Sequence, residues 1–112
     1  MAATLSSVKT TPLMGGYTMV SGLATGSSTY LTGGETMDLS AYILSSTSPI
    51  VMVGNSGQAT VGYVGAHNQG TAAAGKVLFF EAGADSAALD EFANAGNAAV
   101  INVPFIAIGQ TV

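Results

Sequence analysis

Few residues in this 112-residue chain are of a type that does chemistry. His67 is the only histidine. It lies in a stretch rich in Gly and Ala, with no cysteine anywhere in the chain and no carboxylate close by. A metal site needs three or four converging ligands, so His67 reads as a solvated loop residue. Asp85, Asp90 and Glu91 share one segment, but their spacing is not that of a calcium loop and no Glu closes it. They read as charges that keep a loop wet. Glu35 and Asp38, three apart, suit the start of a helical turn, where free N–H groups and the helix dipole favour negative charge. Hydroxyls are plentiful, yet no G-x-S-x-G elbow occurs and a catalytic triad would have to use His67 as its base. The pairs Gly15-Gly16 and Gly33-Gly34 match no phosphate-binding loop and read as turns. The chain is therefore predicted to be no enzyme and to hold no metal or cofactor.

The elements that position these residues follow from composition and pattern. Hydrophobic residues make up 48% of the chain and charged residues only 7%, with a mean hydropathy of +0.49. An ordinary domain carries about 25% charge. With two basic and six acidic residues, the surface must be covered by small polar side chains or by a partner. No run reaches the roughly 18 apolar residues of a spanning helix, and residues 1–8 lack the basic start and apolar stretch of a cleaved signal. The net charge of −4, with Lys9 and Lys76 the only cations, opposes direct nucleic-acid binding. Without cysteine, stability rests on packing and on assembly.

Short apolar or β-branched runs separated by Gly, Ser, Asn and Thr predict about six to eight strands in one domain, residues 1–112. Residues 4–11 end at Pro12 and read either as a flexible N-terminal arm, residues 1–12, or as an edge strand laid on a neighbour. Residues 17–20 form a strand closing at Gly22, to be paired as a ribbon with 29–31. Asp38 is placed to cap a turn whose Leu39, Tyr42 and Ile43 point inward at helical spacing. The near-continuous apolar run 50–53 reads as a central strand, joined by the turn 54–57 to an antiparallel partner at 59–64. Residues 67–75 read as a loop, 76–81 as a strand with two apolar faces, and 86–95 as a weak helical turn or loop. In the closing run 98–108, Pro104 removes a ladder donor and favours an edge or a bulge. The fold class is all-β, a β-sandwich or jelly-roll-like barrel with one or two short helical turns. The five methionines read as adaptable packing residues.

Three stretches, in order, resemble a family. The segment Thr32-Gly33-Gly34-Glu35-Thr36-Met37-Asp38-Leu39-Ser40 resembles a Thr-Gly-Gly-x-x-x-Asp-Leu-Ser segment of the cement, or decoration, proteins of tailed-bacteriophage capsids. Gly62-Tyr63-Val64 with Gly75-Lys76-Val77-Leu78 is similar to that family's paired strands, and Val103-Pro104-Phe105-Ile106-Ala107-Ile108-Gly109 to its closing strand. The resemblance spans about residues 29–110. It implies a structural virion protein, made in the host cytoplasm, that binds the outer capsid surface and bridges subunits of the major capsid protein. It also implies a homo-oligomer, a trimer or dimer. Residues 4–11 lie outside the matched stretch.

The surfaces expected to meet a partner are the N-terminal stretch (Thr4, Leu5, Val8, Lys9) and the outer face of the 76–81 strand (Lys76, Leu78, Phe80). A second reading is a receptor- or glycan-binding module of a phage fibre or tail, in which Tyr17, Tyr30, Tyr42 or Tyr63 would stack on sugar rings.

Overall fold

The computed structural model describes residues 2–56, 63–68, 70–82 and 89–112. In chain order these form β1 (Thr4–Leu13), β2 (Tyr17–Thr25), β3 (Glu35–Thr36), β4 (Ile50–Val53), β5 (Val64–Asn68), β6 (Lys76–Ala82), β7 (Leu89–Glu91) and β8 (Asn102–Gln110). One antiparallel sheet has the order β1-β2-β8-β4; the other runs β3-β6-β5, with β7 also paired to β6. The fold is all-β, two sheets facing across one core, as the apolar periodicity predicts.

The core follows from alternation. Along β8, Val103, Phe105, Ala107 and Gly109 are buried while Asn102, Pro104, Ile106 and Gln110 are exposed, the period-two pattern of a strand with one covered face. Val20 and Ala24 of β2 lie opposite Ala107 and Val103 and share that inner face. Val77 and Phe79 of β6 meet them from the second sheet, and Tyr30, Met37, Leu39 and Ile43 close the core from loops. Sheet spacing is tight at one corner: a Cβ on Gly65 of β5 would come within 2.4 Å of Val53 Cγ1.

Residues 4–11 form an edge strand whose neighbour is the chain's own β2. Leu5 and Val8 both pack on the core although they are three apart. Ser7, at φ 52°, makes this work. The register shift between Ser6 and Lys9 inserts one extra residue, a bulge that resets the alternation. Gly22 lies beneath it, since a Cβ there would sit 2.9 Å from the Ser6 carbonyl and 3.2 Å from the Phe105 ring.

Several local expectations are corrected by tertiary pairing. β2 continues past Gly22 to Thr25, and residues 29–31 form no strand, because Tyr30 turns into the core. β4 is not central but ends its sheet, pairing with β8. Its apolar run reflects two apolar faces rather than two covered ones. Val64 pairs with Phe80 in the other sheet, so 50–53 and 64 do not extend one hairpin; the antiparallel bridge Ser56–Tyr63 marks the crossing, and 57–62 lie outside the described residues. His67 and Asn68 belong to β5 rather than to a loop.

Leu89–Glu91 is a strand held extended by pairing to β6, not a helical turn, and residues 86–88 lie outside the described residues. Pro104 sits within a central strand. Gly54 N donates to the Pro104 carbonyl (2.8 Å), and a ladder residue's N–H and C=O face the same neighbour, so the missing donor points past the end of β4. The turn at Asp38 forms as expected: Tyr42 N and Ile43 N both donate to Leu39 O (2.9 Å each), and Asp38 Oδ1 accepts from Ser40 N (2.9 Å). Hydrogen bonding from the Ser40 side chain first, and then from its N–H, holds the Asp38 carboxyl below its usual range.

Candidate interaction surface

The groups with chemical potential are largely consumed in holding the fold. Glu35 is fully buried in β3, and both its carboxylate oxygens accept from Ser27 N, at 2.9 and 3.1 Å. It pins the 27 loop and does not cap the Asp38 turn. Glu91 does not wet a loop either. Its Oε1 accepts from Tyr30 Oη (2.8 Å) and from Gly33 N (2.7 Å), and Tyr30 Oη accepts from Phe79 N (3.3 Å). Burial first, then the bond to Glu91, hold the Tyr30 phenol well above its usual range. The Tyr30 ring meets Phe79 at 5.8 Å and Phe92 edge-on at 5.6 Å, and Tyr63 meets Phe92 at 5.9 Å. Tyr30 is thus a core hub with no face free for a sugar.

His67 is half-buried rather than solvated. It lies opposite Val77, on the inner side of β5. Its ring lies against Gly75, where an added Cβ would come within 2.6 Å of Nε2. Nδ1 is buried with no hydrogen-bond partner among the described residues. Burial holds the imidazole below its ordinary value. Among the described residues no three His, Asp or Glu side chains group as metal ligands do. Asp85 lies outside the described residues.

What remains without internal use is the outer face of β1-β2-β8-β4. Register sets its rows: Met19 lies beside Ile108 and Ile108 beside Ile50; Ser21 lies beside Ile106 and Ile106 beside Met52; Leu23 lies beside Pro104. Ile50 is 65% exposed, Met52 58% and Ile106 40%. A groove of about 300 Å³ runs along Met52, Gly54, Pro104 and Ile106. A second, of about 420 Å³, lies between Tyr17, Ser48, Ile50, Ile108 and Gln110. The only charge on these four strands is Lys9, and none of the six acidic residues belongs to them. Contiguous apolar surface of this kind marks a contact site on a folded chain.

The seven residues expected at a contact do not converge. Thr4 and Lys9 are exposed on β1, whereas Leu5 and Val8 turn inward and pack on the core. Lys76 is exposed, and Leu78 and Phe80 are half-buried, on the outer side of the other sheet. Sequence reasoning missed Leu23, Ile50, Met52, Pro104 and Ile106. The signal was there in β4, four apolar residues in succession, and in β8, where Ile106 and Ile108 occupy the phase opposite to Phe105. No family model, curated protein or solved structure matches the chain.

Proposed function

We propose that the chain is a cement protein, attached to the outside of a tailed-phage capsid, where it bridges subunits of the major capsid protein and stabilises the mature shell. The observation that carries this reading is the apolar outer face of β2-β8-β4, with Met52, Pro104 and Ile106 lining its 300 Å³ groove, Leu23 beside Pro104, and Lys9 of β1 the one charge on the sheet. Such a face loses little on desolvation, because it holds no carboxylate and one cation, and it gains by leaving water. The resemblance of residues 29–110 to capsid cement proteins names the partner. A protein bound across a seam between subunits stabilises the assembled state by mass action, and many copies on a lattice multiply a modest individual affinity. No catalytic step is required.

Purified protein added to mature shells lacking it should co-sediment with them and raise the temperature at which they release DNA. Met52→Lys and Ile106→Asp should each weaken that binding tenfold or more, about 1.4 kcal/mol, with the melting temperature of the free protein unchanged. Absence of binding to any expanded shell, or binding untouched by both substitutions, would overturn the assignment.

A further inference from the structure

His67 Nδ1 is enclosed without a hydrogen-bond partner among the described residues. The ring stands against Gly75, where an added Cβ would come within 2.6 Å of Nε2 and 2.8 Å of Cε1. Gly75 ends the turn that joins β5 to β6, in which Ala74 N and Gly75 N both donate to Thr71 O, at 3.1 and 2.8 Å. That turn is bonded to the segment packed beside it. Met37 N donates to Gly75 O (2.8 Å), Leu39 N to Ala72 O (2.7 Å), and Ala72 N to Thr47 O (2.8 Å). Met37, Leu39 and Ala72 all belong to the core. The imidazole therefore closes over the turn that fastens residues 37–47 to the second sheet.

We infer that His67 is a proton-operated catch: a protonated ring leaves its seat, the 70–75 turn opens, and residues 37–47 are released while the strands stay paired. An imidazolium carries N–H donors on both nitrogens, and leaving an unpaired one buried costs more than turning the ring out to water. The groups around it offer no compensation. Across β6 it faces Val77, and Glu35 lies beyond Val77 in the same row, with both carboxylate oxygens on Ser27 N. Lys76 lies opposite Asn68, one position out of phase with His67, and so projects to the outer face. The 70–75 turn has no titratable residue. The 37–47 segment brings Asp38, exposed and bonded to Ser40 N, and Tyr42, partly buried against the core. The sign follows from burial: the closed ring resists the proton, whereas the released ring takes it near the ordinary value of about 6.5. Opening is thus favoured as pH falls below that value.

Amide hydrogen exchange of the full-length chain, corrected for the intrinsic effect of pH on exchange, tests this. The amides of Met37, Leu39 and Ala72 should exchange through an opening of their own, faster than those of β2 and β8. Their protection should fall by up to about tenfold from pH 7.5 to 5.5. His67→Leu should remove that dependence, and Gly75→Ala, whose Cβ displaces the ring, should lower protection of the three amides already at pH 7.5. If a variant fails to fold, the native chain still decides, because its imidazole proton resonances should titrate below pH ~6.5. Protection equal to that of β2 and β8, protection indifferent to pH, or an imidazole titrating at or above about 6.5 would each overturn the catch. So would a folded His67→Leu chain that keeps the pH response, or a folded Gly75→Ala chain with unchanged protection. The device does not depend on what the outer face of β2-β8-β4 binds, since opening leaves that sheet paired.

Discussion

His67 and Glu91 are side chains that the fold holds in place, one by burial and one by hydrogen bonds. In the folded chain burial disfavours the imidazolium, whereas the unfolded chain titrates near the ordinary value of about 6.5. The unfolded state therefore binds the extra proton first as pH falls, so stability present above pH ~6.5 declines below it. Calorimetry between pH 8 and 5 should show a falling melting temperature, and His67→Leu should flatten that slope. A carboxylate such as Asp38, with its depressed folded value, loses its contribution only at lower pH, below about 4, so the two effects separate along the pH axis. Glu91→Gln keeps the shape but weakens the acceptor of both Tyr30 Oη and Gly33 N. Exchanging a charged acceptor for a neutral one in these part-buried bonds costs about 1 kcal/mol, measurable as a lower urea midpoint. An unchanged midpoint would mean the Tyr30–Glu91 bond contributes nothing net. Neither role was legible in the sequence: Glu91 and Tyr30 lie 61 residues apart, and an isolated histidine among glycines gives no sign of the strand that buries it.

At the scale of elements, β1 is built around a defect. The bulge at Ser7 lets Leu5 and Val8 both reach the core, and Gly22 is the residue beneath it. Gly22→Ala would push a Cβ to 2.9 Å from the Ser6 carbonyl, and overpacking of this kind costs about 1–3 kcal/mol. The substitution should lower the denaturant midpoint, and hydrogen exchange should show faster opening of β1 than of β8. Equal exchange in both strands would place the strain elsewhere. Nothing in Ser6-Ser7 announces a bulge, because two serines fit either phase of a strand. The alternation of β8 was legible, since Val103, Phe105 and Ala107 alternate with exposed residues, but its central place was not, because Pro104 argued for an edge or a bulge; the Asp38 turn was legible because a local side-chain bond outweighs other options. β4 and β7 were misread for one reason: local pattern reports which residues are apolar, while the partner strand decides which face is covered and whether Leu89 and Phe92 sit on a turn or an extended chain.

For the whole molecule, the division of charge sets an orientation. One sheet holds Lys9 alone, and the carboxylates belong to β3, β6, β7 and the connections around them. If the protein coats a capsid as proposed, a bound copy would turn its apolar sheet toward the shell and its acidic side to solvent, where like charge would discourage a second layer from depositing. Methionine supplies the probe, because its positions span the range of burial: Met14 is 96% exposed, Met52 58%, and Met37 0%. Oxidation by dilute peroxide follows exposure and converts the thioether to a polar sulfoxide that mass spectrometry counts residue by residue. In the free chain at low concentration Met14 and Met52 should react fast and Met37 slowly. Binding to shells should protect Met52, beside Pro104 and Ile106. Met37 reports unfolding: a rise in its oxidation would mean that exposure elsewhere came from a loosened core. Met52 left reactive on shells would detach that groove from capsid binding, even if the protein still coats them.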